Sequence, residues 1–423
     1  MPMWPVAESP AAERAARTHQ ETTGNVPAHV AHAPATWLLI GEHVDHSGGV
    51  VLAALAEQEA AVAVSPRADD LVRVTQVSTG PAGVTHITDE VSMGVIGDLA
   101  AAQQPGIDDR GRPETPPTPE GGLAVQLAGI VWTLINRQLL SRDTGGLDVT
   151  VVSDIPDGAG LGDEAARDVA FALAVLGDSE EFDDAPGRAR IAEVCTQAAE
   201  MFSPIAPLRA RFTAALRGTG ETVSVIDYAD GSVTQAPHPQ SADLEFYAVT
   251  VEHARVDRAA DILRRRRFVE EACRAFGAES LRLLPDAPQR VIEWLQAVHK
   301  VHGTDDTPEI GEAAAWLAFE ERETVRAQRL ARALRARRPD DIWPVLAQSQ
   351  SGLTGPYGLL GSEAMVQLCL VRGALGARAA SAGNVEAVIA GVDARRAESF
   401  TRDMSDDGLV VVKLGRGRVA DRA

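Results

Sequence analysis

An α+β fold in two domains is what this chain predicts, on three observations. Its 423 residues exceed what one simple hydrophobic core holds. Strand-like and helix-like segments alternate in both halves without the strict rhythm of a βαβ protein. A hairpin signal, Asp230-Gly231 between two alternating runs, marks a change of pattern near residue 220. The expected division is an irregular N-terminal segment, 1–32, a first domain over 33–218 and a second over 219–423.

The elements follow in order. Residues 1–32 are polar, with a short helix at 11–20. Apolar alternation predicts strands at 36–41, 60–65, 70–77 and 84–88. Residues 103–122, QQPGIDDRGRPETPPTPEGG, read as a surface loop rich in Pro, Gly and acid. The spacing of 123–140 predicts a core helix and 147–153 a strand. PDGAGLGDEAARDVAFALAVLG then reads as a Gly-rich loop feeding a helix, with another helix at 188–202. A hairpin at 220–237 and a strand at 243–251 precede helices at 256–276, 286–299, 309–336, 340–349 and 360–375. Residues 385–392 and 409–414 close the chain as strands, and no internal repeat is visible.

Composition excludes several functions. A net charge of −20 and a pI near 4.9 disfavour nucleic acid and anionic membranes. No run of 18 apolar residues exists, so no membrane span is expected. The N-terminus carries Pro and charge where a signal peptide needs an apolar stretch, which predicts a cytoplasmic protein. The arginines 264–267 read as the solvated face of a helix. Cys195, Cys273 and Cys369 are far apart and read as buried thiols, not a disulfide frame or zinc site. Lysine occurs only at Lys300 and Lys413, and no G-x-x-x-x-G-K-[ST] pattern is present, which excludes a P-loop lysine.

The most informative segment is 38–49, LLIGEHVDHSGG. An apolar run ends in glycine and is followed by Glu42, His43 and Asp45, then Gly48 and Gly49. Carboxylates accept from hydroxyls and imidazole can donate or accept, so the set suits a small polyol. Two other readings stand beside it: a metal site of His43, Asp45 and His46, and a capped strand-to-helix turn. A second segment runs Pro156-Asp157-Gly158-Ala159-Gly160-Leu161-Gly162-Asp163-Glu164. Such glycines let backbone N–H groups approach phosphate at a helix N-terminus.

Together these segments resemble the motifs of the galactokinases, members of the GHMP small-molecule kinase superfamily: G-R-V-N-L-I-G-E-H-x-D-Y-x-G-G and P-x-G-A-G-L-S-S-S. The resemblance implies a two-domain GHMP-kinase-like fold and the reaction of ATP with galactose to give galactose 1-phosphate and ADP. It implies that Glu42, His43, Asp45 and Gly48 contact sugar. It also implies that Gly158, Gly160, Leu161 and Asp163 contact nucleotide, with Mg²⁺ held by Asp163 and Glu164.

The departures are equally specific. The family Arg that stabilises the transferring phosphoryl group falls on Thr36, and the glycine before it on Ala35. The three serines of the phosphate loop become Gly162, Asp163 and Glu164. Like charges at 4 Å cost about 4 kcal/mol at an effective dielectric of 20, so the two carboxylates read as helix caps unless a cation bridges them. Family G-I-M-D-Q-F-A-S-A-L overlays residues 207–216. Its Asp, the general base, falls on Ala210, or on Arg209 with a slip of one. Arg209 and Arg211 could bind an anion, but a surface helix is the plainer reading. The third family loop, G-A-R-M-T-G-G-G-F-G-G, overlays 376–386 and keeps one glycine of its later five. The family Tyr that contacts sugar falls on Ile262, and the S-H-x-S-L segment on Ser349 to Leu353. Glu323, Arg326, Leu353 and 276–284 are kept and read as architectural.

These departures predict an impaired or inactive relative with a partial sugar site. It would act in sugar binding or regulation, with a protein partner if regulatory. The alternative is an active sugar 1-kinase whose base comes from Asp45 or Asp163.

Overall fold

The computed structural model describes every residue except 1–3, 5, 6, 81, 82, 105, 108–112, 115, 256, 257, 305, 306 and 384. α1 (Ala11–Thr23) precedes β1 (His29–Ile40), β2 (Val50–Pro66), β3 (Leu71–Gly80) and β4 (Gly83–Ser92). α2 (Met93–Ala102), the two-residue strands β5 (Gly106–Ile107) and β6 (Pro113–Glu114), and α3 (Leu123–Asn136) lead to β7 (Leu147–Ser153). α4 (Asp163–Leu176), α5 (Ala185–Phe202) and α6 (Arg209–Arg217) follow, then the hairpin β8 (Thr222–Asp227) and β9 (Ser232–Pro237). β10 (Leu244–Arg255) introduces α7 (Ala259–Phe276), α8 (Ala287–His302), α9 (Ile310–Arg335), α10 (Ile342–Thr354) and α11 (Glu363–Val371). β11 (Gly376–Ala379), β12 (Val385–Asp393), α12 (Ala397–Asp406), β13 (Val410–Lys413) and β14 (Asp421–Arg422) complete the chain.

Two sheets organise these elements. The larger runs β14-β1-β2-β7-β3-β4, with β8 and β9 branching from β2. β2 makes this possible by its length of 17 residues. Its first part, Val50–Ala53, pairs with β8, and its last part, Ala60–Pro66, with β7. The smaller sheet runs β11-β12-β10-β13, all antiparallel.

Strand alternation decides where each face goes. In β10, Leu244, Phe246 and Ala248 enter the main core, while Tyr247 and Val249 meet α11 and α12 through Cys369, Phe400 and Met404. In β2, Leu52 and Ala54 enter the main core, and Val51 and Ala53 meet the helical layer of α7 to α10. α1 covers the far side of β2 and β7 through Ala11, Ala12 and Ala15.

The hairpin lies past the expected boundary at 219 but belongs to the larger sheet, because β8 hydrogen-bonds to β2. The chain therefore leaves that sheet only after Pro237. Of the loop expected at 103–122, residues 105, 108–112 and 115 lie outside the described residues. Among the described residues, no helix is long and apolar enough to cross a membrane.

Candidate functional site

β1 delivers the first motif. It ends at Ile40, and Gly41 turns the chain at a φ of 95°. A Cβ there would collide with the Val50 carbonyl, so only glycine fits. His43 takes the left-handed conformation too, at φ 67°. The turn directs three polar side chains inward: Glu42, His43 and Asp45 are all buried.

Each of the three is already engaged. Glu42 Oε2 lies 2.6 Å from Arg378 Nη1 on β11. Arg378 Nε donates to Ser349 Oγ at 2.8 Å, and its Nη2 lies 3.3 Å from Glu323 Oε1. Arg326 closes the chain of charges at 3.0 Å from Glu323. Burial pushes the Glu42 carboxyl above its ordinary value, and the Arg378 charge opposes this. Asp45 Oδ2 accepts from the Arg209 backbone N–H at 2.8 Å, and its Oδ1 from the His46 backbone at 3.0 Å. Burial alone would raise the Asp45 carboxyl. The His46 hydrogen bond and the charges of Arg266, His46 and Arg209 outweigh it and hold Asp45 well below the usual range. His43 stacks on Tyr357 with ring centroids 5.4 Å apart.

His43, Asp45, Ile262, Arg266 and Tyr357 surround a cavity of about 10 Å³. That is close to the threshold for a single water and far below a hexose. Ile262 lines this cavity. Gly48, at φ 84°, leaves room for Ser280 and offers its carbonyl to Arg282 at 3.1 Å. The Arg264–Arg267 run is not a solvated face: Arg265 and Arg266 are buried, with Arg266 donating to the Pro207 carbonyl at 3.1 Å.

The second motif connects β7 to α4. Gly158, Gly160 and Gly162 have φ of 75°, 70° and 73°, which glycine alone adopts without strain. The Leu161 carbonyl accepts from the Thr36 N–H at 2.9 Å, so the loop is anchored to β1. Gly162 is the N-cap of α4. Asp163 and Glu164 are first-turn residues and not the cap, a correction to the expectation. Asp163 accepts from Ser153 Oγ, and burial, opposed by that bond, raises its carboxyl to about 6. Glu164 is exposed.

The largest departure from expectation is α6. Ala210 is buried among apolar side chains, and Arg211 is only 4% exposed, not part of a surface helix. Arg211 Nη1 donates to the Thr36 carbonyl and to Thr36 Oγ1 at 3.1 Å. Its Nη2 donates to the Gly160 carbonyl at 2.7 Å and to Ser381 Oγ at 2.6 Å. Burial lowers its guanidinium to about 10. A guanidinium thus lies beside Thr36, where β1 itself has none.

The third loop lies against the second. A Cβ on Gly160 would come within 2.6 Å of the Ala380 Cβ and 3.1 Å of Val385. Ser381 Oγ lies 3.3 Å from the Gly160 carbonyl, and the single hydroxyl of Thr250 has the Gly158, Val251 and Glu386 carbonyls as alternative acceptors at 3.3, 3.1 and 3.2 Å. Asn384 of this loop lies outside the described residues. Among the described residues, no three His, Cys, Asp or Glu side chains gather closely enough to hold a metal, whether around His43, Asp45 and His46 or around Asp163 and Glu164.

The sequence pointed to the two loops and to Glu42 and Asp45, but it read Arg211 and Arg266 as exposed and did not single out Arg378 or Tyr357. Arg378 had a visible signal: it is the arginine kept in a loop that has lost its glycines. Tyr357 had none.

The chain is similar to galactokinases in sequence and in fold. The family model of the galactokinase galactose-binding signature matches residues 17–66. The galactokinase of Streptomyces coelicolor is 25% identical over 394 residues, covering 92% of this chain and 90% of that one. The galactokinase of Chloroflexus aurantiacus is 31% identical over 147 residues, 35% of this chain and 30% of its own. The crystal structure of Lactococcus lactis galactokinase complexed with galactose superposes with a TM-score of 0.71 at 16% identity, covering 97% of this chain and 99% of that one. The Methanococcus jannaschii mevalonate kinase superposes with a TM-score of 0.57 at 12% identity, covering 92% and 98%. The architecture is that of the GHMP kinases.

Proposed function

Because the chain belongs to the galactokinase family, we propose that it is a member that binds sugar without phosphorylating it, in a binding or regulatory role. One observation carries this reading. The first turn of α6 sends Arg211, and no carboxylate, to the place where the phosphate loop meets β1, while Ala210 is buried among apolar side chains. Phosphoryl transfer needs a group that orients and deprotonates the hydroxyl, and losing a general base costs about 10²–10⁴ in rate. Glu42 and Asp45 do not substitute. Glu42 is tied to Arg378, and Asp45 is held so far below its usual range that it is a poor proton acceptor at neutral pH.

ATP and Mg²⁺ do not fit the residues present. The serines are gone, Asp163 is bonded to Ser153, and the glycine loops pack on one another. A galactose-like hexose remains the best-supported ligand, entering by displacement of Tyr357 from beside His43. The setting proposed is cytoplasmic, with Cys195, Cys273 and Cys369 as thiols.

The test is ADP release with Mg-ATP and millimolar galactose, against the same protein carrying Asp45→Ala. No turnover above the variant is expected; kinase-like rates lost in the variant would overturn the reading. In parallel, galactose should raise the melting temperature, since a ligand confined to the native state stabilises it. Tyr357→Ala should enlarge that rise. No shift in either protein removes the sugar role.

A second reading has one observation in its favour. Arg211 restores a cation beside Thr36, as an active 1-kinase would require. That reading expects Mg²⁺-dependent ADP release that Asp163→Ala abolishes.

A further inference from the structure

We infer that Arg211 and Ser381 form a clasp that holds the phosphate loop shut against the third loop and keeps a nucleoside triphosphate out. The inference rests on the non-catalytic reading above and gives it a physical cause.

One guanidinium, rooted in α6, reaches three other segments at once: β1 at Thr36, the phosphate loop at Gly160, and the turn after β11 at Ser381. All of these acceptors are neutral carbonyl or hydroxyl oxygens. A guanidinium this buried, whose burial the Glu42 charge offsets only in part, keeps those partners close, because each lost contact leaves a buried N–H without an acceptor. Ser381 is held by two contacts, accepting from Arg211 and reaching the same Gly160 carbonyl.

This arrangement fixes the carbonyl side of the loop and fills the space beside two of its glycines. A phosphate loop works by turning its N–H groups toward the anion, with glycines making room. Here the Gly160 and Leu161 carbonyls are fixed by Arg211 and by the Thr36 N–H. The Cα side of Gly160 abuts Ala380, and that of Gly162 lies along the Arg211 side chain, where a Cβ would come within 2.7 Å of its Cδ. Repulsion from Asp163 could be offset by a cation, but this packing could not. Opening the cleft requires the Arg211 and Ser381 contacts to break together.

Calorimetric titration with ATP and ADP, with and without Mg²⁺, tests this on the wild type and on Arg211→Ala, Arg211→Lys and Ser381→Ala. The wild type should give no binding heat. Arg211→Ala should bind ATP at least about tenfold more tightly, since a population cost on the open loop is removed. Deuterium exchange over residues 156–164 should rise in Ser381→Ala and Arg211→Lys. Wild-type binding as tight as that of the variants overturns the clasp, as does a folded Arg211→Ala with no gain. Should Arg211→Ala not fold, unchanged exchange in Ser381→Ala overturns it. These failures leave the non-catalytic reading standing, whereas ADP release by the wild type would refute that reading itself.

Discussion

Glu320 shows how far burial can move one side chain. It is 6% exposed, and its Oε1 lies 3.7 Å from His46 Nε2. Burial, opposed by a Ser47 hydrogen bond and reinforced by the Asp45 charge, pushes its carboxyl up to about 8 from an ordinary 4.5. An acid raised on folding holds an extra proton in the native state between those two values. Its stabilising contribution is whole below pH 4.5 and is lost as the pH rises through about 8. Glu320→Gln mimics the protonated form, so it should match the wild type near pH 5 and exceed its stability by upwards of ~1 kcal/mol at pH 8.5. Urea unfolding at both pH values checks this, and parallel pH profiles would refute it. Glu42 permits a second test. If it served only as a sugar contact, Glu42→Gln would leave stability unchanged. Buried against Arg378, it should cost about 1–3 kcal/mol, and Arg378→Met, which strands two carboxylates, about 3–5 kcal/mol. At this scale the polar cluster after β1 was legible in the sequence because such groups rarely follow an apolar strand without a purpose. Their partners were not, because Arg378 and Tyr357 come from the far end of the chain and no local pattern pairs them.

Among the elements, legibility followed the strength of the local signal. β7 was placed at its true limits, and α9 and β12 within a residue or two, because apolar periodicity and length agree there. α12 and β11 were missed; the latter has four residues and too short a pattern to read. The first half of β2, VVLAALA, was missed because alanine is a weak strand former, and tertiary pairing to β1 and β8 decides its state. α6 was misjudged for a different reason. RARFTAALR reads as a solvated helix on charge, yet Arg211 is drawn inward by backbone carbonyls, which sequence does not display. The turn after β1 is the element most sensitive to substitution. Gly41→Ala would place a methyl group against the Val50 carbonyl at a φ of 95°. It should cost at least ~2 kcal/mol, measured by denaturant unfolding, and displace Glu42 from Arg378. A loss below ~0.5 kcal/mol would show that the turn relaxes and that its conformation is not required.

For the whole molecule, the two sheets share a core, which sets how the chain should unfold. Trp37, Leu39 and Ile40 from β1 pack in the same cluster as Phe246 and Ala248 from β10 and Val412 from β13. α9 and α10 add Leu330 and Val345 to that cluster, although they follow the smaller sheet's first strand in the chain. β14, at the end of the sequence, pairs with β1 near its beginning. Two independent domains would each need a closed core, and a division at 219 would separate β8 from the β2 residues that satisfy its backbone. Calorimetry should therefore record one transition, with calorimetric and van't Hoff enthalpies in agreement, despite a length at which chains ordinarily split. Two resolved transitions would mean that the shared cluster is an interface between separately stable units. In that case, the clasp between the phosphate loop and the segment after β11 would be a contact between moving bodies, and its strength would depend on their docking.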